Sequence, residues 1–126
     1  MAHTETKLAE TKLAEVDPVW ARIAREAGTA IADEPLMGGL IHSSVLHHGS
    51  FDAALAYRIS LKLASAEMPE QILREICDKA LGADDRIGLA ARADIVAVSD
   101  RDPACDRFLL PLLFFKGFQA IQAYRI

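Results

Sequence analysis

The amino-acid sequence predicts an all-α fold, a compact bundle of about seven short helices, on three observations. Apolar residues recur at helical spacing through most of the chain, cap and breaker residues punctuate those stretches at short intervals, and no stretch alternates apolar with polar residues over more than a few positions. The β-branched run IVAV at 95–98 lies inside a capped helical pattern and is assigned to it.

Residues 5–9 (ETKLA) repeat at once as residues 10–14, and a five-residue period keeps no single apolar stripe on a helix. Residues 1–16 are therefore read as a low-complexity, loosely helical N-terminal extension. From Asp17 the pattern sharpens. Asp17 can cap, Pro18 suits a first helical turn, and Trp20, Ile23, Ala24, Ala27 and Ile31 share one face. Pro35 opens a second helix through Leu36, Met37, Leu40, Ile41 and Leu46, which Gly49 stops. Ser50 caps a third, along which Phe51, Leu55, Ile59 and Leu63 step down one face. Pro69 opens a fourth, with Ile72, Leu73, Ile76, Cys77, Ala80 and Leu81 on its apolar side and Gly82 as its stop. Asp84 caps a fifth that runs to about Ser99. Asp102 and Pro103 read as the cap and first residue of a sixth, and Pro111 as the start of a seventh. The final segment, Phe118 to Ile126, is apolar and helical and ends with no cap, stop signal or polar tail, as expected of a domain cut within its last helix.

Composition narrows the function classes. A chain of 126 residues fits one domain, and 52% hydrophobic residues supply a core. The net charge is −4 and no Lys/Arg cluster is dense enough to track phosphates, which argues against nucleic acid or an anionic membrane as partner. The longest apolar run, Phe108 to Phe115, is broken by Pro111 and far shorter than a membrane span. The start, Met-Ala-His-Thr-Glu, lacks the basic and apolar segments of a signal peptide. Cys77 and Cys105 have no CxxC spacing, so they read as reduced thiols in a cytoplasmic protein.

Few residues offer chemistry. His42, His47 and His48 lie close together, but the spacing of five between the first two fits the one-face arrangement of paired metal ligands poorly. They are read as polar helix-end residues, and no metal site is assigned. Gly38-Gly39 follows no strand, so it is not a nucleotide loop; close helix packing is its expected use. Asp100, Asp102 and Asp106 surround Arg101 and Arg107. Helix capping with exposed ion pairs explains them, and so does a carboxylate facing a cleft to bind an ammonium group; the local residues leave both open. The aromatics Phe108, Phe114, Phe115, Phe118 and Tyr124 are read as core.

The order VWARIAREA, EPLMGGLIHSSVLHH, FDAALAYRISLKL, MPEQILREI and then RDPACDRFLLPLLFFKGFQAIQAYRI resembles the N-terminal domain of bacterial serine O-acetyltransferases over residues 17–126. The ETKLA duplication lies outside it, and His47 stands where relatives often carry asparagine. The resemblance implies a helical domain preceding a left-handed β-helix of hexapeptide repeats, which binds acetyl-CoA and supplies the catalytic His and Asp. That enzyme moves an acetyl group to L-serine, giving O-acetylserine for cysteine synthesis, and L-cysteine inhibits it. No hexapeptide repeats occur here, so no catalytic or cofactor-binding residue is assigned, His42, His47 and His48 are not the family's catalytic histidines, and the chain alone is expected to be inactive. One site residue is implied. In the family, the aspartate of RDPA reaches into the serine pocket of the neighbouring β-helix and holds the substrate's ammonium group, and that aspartate is Asp102 here. The resemblance also implies a homo-oligomer, with helical domains joining trimers into a dimer of trimers. Cysteine synthase, in the family, binds an extreme C-terminal tail that is missing here. The alternative reading is a stand-alone helical interaction module without catalytic activity.

Overall fold

The structure, a computed structural model, describes residues 2–126 apart from the side chains at positions 2, 3 and 11. The chain start at Met1, read above for a targeting segment, lies outside them. Every regular element among the described residues is helical: α1 (Ala2–Val16), α2 (Pro18–Asp33), α3 (Gly38–Ile41), α4 (Phe51–Leu63), α5 (Glu70–Ala83), α6 (Asp85–Arg101), α7 (Leu109–Phe114) and α8 (Lys116–Arg125). Among the described residues no helix is long and apolar enough to cross a membrane.

The start signals read from sequence act as capping physics requires. The Asp17 carboxylate accepts the Trp20 amide at 3.2 Å, Ser50 Oγ that of Ala53 at 3.2 Å, and the Asp84 carboxylate that of Arg86 at 3.0 Å. The stops differ from expectation. No described glycine has positive φ, and helices end instead on residues with extended backbone such as Asp84, Asp102 and Phe115. Asp84 and Phe115 each end one helix and begin the next, so a single extended residue turns the chain where Gly82 was expected to act. The stretch after Pro35 is also not one helix. A 3-10 turn at Pro35–Met37, the four-residue α3 and a π turn at His42–Leu46 succeed one another. An alanine methyl at Gly38 would meet only Ile31 Cγ2, at 3.8 Å, and at Gly39 nothing within 4 Å, so close packing does not demand either glycine.

Helix α4 occupies the centre because it is apolar nearly all round, which a helix can sustain only when other elements enclose it. Phe51, Leu55 and Ile59 are at most 1% exposed. Around them lie Trp20, Ile23 and Ala27 of α2, Ala91 and Ile95 of α6, Leu112 and Leu113 of α7, and Phe118 of α8. The duplicated segment forms α1, which is largely exposed but turns Leu13 towards this core.

A charged cluster ties three helices together at the bundle's edge. Arg92 of α6 donates to Asp17 Oδ2 at 2.8 Å and to Asp52 Oδ1 at 3.3 Å, with its guanidinium 4.5 Å from the Phe51 ring centre. Gly88 leaves the room for this, since a Cβ there would sit 2.5 Å from Asp52 Oδ1. Asp17 thus both caps α2 and pairs with α6. Asp17→Asn, which keeps the cap, is expected to cost about 1 kcal/mol in urea unfolding, and Asp17→Ala about 2 kcal/mol. In an Arg92→Met background the asparagine variant should cost nothing further. An undiminished cost there would show that the ion pair is idle.

Candidate functional site at the α6–α7 junction

Helix α6 ends at Arg101, and the chain re-enters helix only at Leu109. The expected helix start at Asp102-Pro103 is therefore corrected. The Cys105 amide donates to the Asp102 carbonyl at 2.9 Å and the Ala104 amide to Asp102 Oδ1 at 2.9 Å, which makes a β-turn closed by an Asx bond. Aspartate followed by proline suits the first two positions of such a turn as well as it suits a helix cap, so the residues alone could not separate the two. Asp102 itself is fixed from behind, where its amide donates to the Val98 carbonyl at 3.0 Å. Its side chain is exposed, and among the described residues Oδ2 takes no hydrogen bond.

Asp102 lines a cleft of about 440 Å³ between α6 and α8, with Asp94, Ala97, Val98, Arg101, Gly117, Phe118 and Ile121. Its floor is apolar, which lowers the local dielectric. Asp94, also in its lining, accepts from Gln122 at 2.7 Å and pairs with Arg125. Such a cleft suits a small cation at Asp102.

The loop beyond Asp102 is held from below. Cys105 is buried, its carbonyl accepts from Ser99 Oγ at 3.2 Å and its thiol donates to the Arg107 carbonyl at 3.5 Å. Burial pushes the thiols of Cys105 and Cys77 above their ordinary range, so neither is a nucleophile at neutral pH. Two residues of α2, singled out by nothing in the sequence reading, complete the support. Arg22 donates to the Asp106 carbonyl at 3.1 Å and stacks 3.8 Å from the Phe108 ring centre. Glu26 accepts from Arg22 Nε at 2.7 Å and from the amides of Phe108 and Leu109 at 3.3 and 3.0 Å. The only trace of this in sequence is an Arg–Glu pair four apart, beside the apolar face of α2. Of the other acidic and basic residues, Arg107 reaches Asp33 at 3.9 Å, and Arg101 makes no ion pair among the described residues.

The histidines lie elsewhere. The π turn closes with the His47 amide on the His42 carbonyl at 2.8 Å, and the rings of His42 and His47 sit 6.5 Å apart. His48 packs 4.9 Å from the Tyr57 ring and donates from Nε2 to the Ser43 carbonyl at 3.0 Å. Burial lowers the His48 imidazole below its usual value, with nearby Arg74 acting the same way. No three His, Cys, Asp or Glu side chains among the described residues converge closely enough to hold a metal ion.

Comparison with known proteins decides what this arrangement belongs to. Residues 19–123 match the family described as serine acetyltransferase, N-terminal. The chain belongs to that family. A serine acetyltransferase of Escherichia coli K12 is 42% identical over 112 residues, covering 89% of this chain and 41% of that protein. A Neisseria gonorrhoeae serine acetyltransferase solved in complex with serine superposes with a TM-score of 0.82 at 47% identity, over 85% of this chain and 44% of that one. A Brucella abortus serine acetyltransferase in complex with coenzyme A gives a TM-score of 0.84 at 39% identity, over 90% and 45%. The chain thus spans less than half the length of the relatives it matches, and the α6–α7 junction, with Arg101-Asp102-Pro103-Ala104, lies within the matched residues.

Proposed function

We propose that this chain is the helical domain of a cytoplasmic serine O-acetyltransferase that transfers acetyl from acetyl-CoA to the L-serine hydroxyl, with L-cysteine as inhibitor. In this reading the domain's part in the chemistry is Asp102, and its part in the architecture is assembly of a homo-oligomer. Support for the first part is the Oδ2 of Asp102, without a hydrogen bond among the described residues, on a turn fixed from both sides, in the lining of a mostly apolar cleft. Relatives that superpose on it are complexes with serine and with coenzyme A.

In the reaction the serine Oγ–carbonyl bond forms, the carbon–sulfur bond of acetyl-CoA breaks, and the coenzyme leaves as a thiol. A general base from the rest of the enzyme takes the hydroxyl proton. Asp102 touches none of the reacting atoms. Its carboxylate holds the α-ammonium, a charge-assisted hydrogen bond worth roughly 1.5–3 kcal/mol, and so fixes the hydroxyl in position for attack. An N-terminal domain that supplies only this contact has no turnover by itself.

The test is Asp102→Asn in the intact enzyme, because asparagine preserves the Asx turn and removes the charge. The Michaelis constant for serine should rise at least about tenfold while that for acetyl-CoA stays within about twofold and the melting temperature is unchanged. Unaltered serine kinetics would reduce Asp102 to a turn residue.

The assembly role rests on exposed apolar side chains. Leu61, Leu63, Ile72 and Ile76 on α4 and α5, and Ile121 and Tyr124 on α8, are each at least 41% exposed. Sedimentation of the 126-residue chain at micromolar concentration should show dimers or larger species, and a clean monomer throughout the range would contradict it.

A further inference from the structure

We infer that Glu26 is a positioning residue for the substrate site: by receiving the amides that open α7, it sets where the Asp102 carboxylate stands. The inference rests on the reading of Asp102 as the ammonium anchor. Asp102 is the first residue of a seven-residue connection whose two ends are fixed differently. At the start, the Asp102 amide belongs to the last turn of α6. At the end, the chain has no local stop, and Phe108 and Leu109 would begin α7 with bare amides, since Phe108 supplies no side-chain cap. Glu26 supplies the missing acceptor from 82 residues away, through Oε1 to Phe108 and Oε2 to Leu109.

Two other contacts steady the connection, Ser99 Oγ on the Cys105 carbonyl at 3.2 Å and Arg107 with Asp33 at 3.9 Å, but neither supplies an acceptor to the Phe108 and Leu109 amides. Arg22 holds the Asp106 carbonyl, but Arg22 is itself oriented by Glu26 at 2.7 Å. Between Asp106 and Asp102 stands Cys105, whose amide bonds the Asp102 carbonyl and whose thiol reaches the Arg107 carbonyl. A shift of residues 106–109 therefore passes through one buried residue to the turn that aims the carboxylate. The Glu26 side chain is only 12% exposed, so its two bonds to the α7 amides are largely sheltered from solvent competition. Misplacement of a binding group by about 1 Å is enough to cost catalysis up to a hundredfold.

The experiment is a double-mutant cycle on serine kinetics in the intact enzyme, with Glu26→Gln, Asp102→Asn and the pair. Glutamine keeps the volume and one acceptor but loses the second acceptor and the charge. Glu26→Gln should raise the Michaelis constant for serine about five- to tenfold and leave that for acetyl-CoA within about twofold. Added to Asp102→Asn it should raise it no further, because its effect runs through that carboxylate. Glu26→Asp, one methylene too short to reach both amides, should show the same selective rise with a melting curve that certifies the fold. If Asp102→Asn raises the serine constant and neither Glu26 variant does, or if the Glu26 effect persists in full in the Asp102→Asn background, the inference is wrong. If Asp102→Asn itself leaves serine binding unchanged, the anchor reading fails first, and a Glu26 effect on serine would then have to run by another route.

Discussion

A helix of six residues cannot hold itself together in water, and α7 is that short. It persists because other helices satisfy it at both ends. Glu26 of α2 receives the amides at its N-terminus. At its C-terminus the Arg58 guanidinium of α4 donates to the Leu113 carbonyl at 2.8 Å, and the Gln119 amide of α8 donates to the carbonyls of Leu112 and Leu113 at 3.0 and 3.1 Å. An anion at the positive end and a cation at the negative end also match the helix dipole. Both Arg58 and Gln119 are buried, and Arg58 Nε has no hydrogen-bond partner among the described residues, so the protein bears a desolvation cost to hold α7 in place. Burial depresses the Arg58 guanidinium from its usual value accordingly.

This arrangement explains how a turn at the surface becomes a site. Leu109, Leu112 and Leu113 plug α7 into the core around α4, and α7 carries the preceding connection with it. The turn at Asp102 then lies between two anchored helices rather than on a free loop, which is the support a single binding carboxylate needs to act with precision on a small substrate. The same logic separates the junction from the histidine cluster, whose rings pack on one another and on Tyr57 without converging on a shared point.

Much of the fold was legible in sequence because it is written in local signals. Asp17, Ser50 and Asp84 announce helix starts through their own nearest amides, and apolar spacing marks the inward face of α2 and, at Phe51, Leu55 and Ile59, of α4, whereas Ile72 and Ile76 on the apolar side of α5 and Leu63 at the end of α4 are exposed. What was not legible depends on distance. Residues 42–46 carry no mark of a π turn, since a single widened turn leaves no period. Asp102-Pro103 is equally good as cap or turn, and the tertiary setting chose turn. The family pattern pointed to Asp102, yet the residues that support it were invisible, because Arg22 and Glu26 meet the junction only after some eighty residues of chain have folded back.

A carboxylate on α2 caps α7 from outside, and native-state amide exchange of the chain reads this directly. First-turn amides normally lack partners and exchange quickly, as expected for the start of α5, which has no side-chain cap. The amides of Phe108 and Leu109 should instead be protected at least about tenfold more than those of Glu70 and Gln71 at the start of α5, and Glu26→Gln should remove most of that difference. Exchange at Phe108 and Leu109 as fast as at the start of α5 in the unaltered chain would contradict the account.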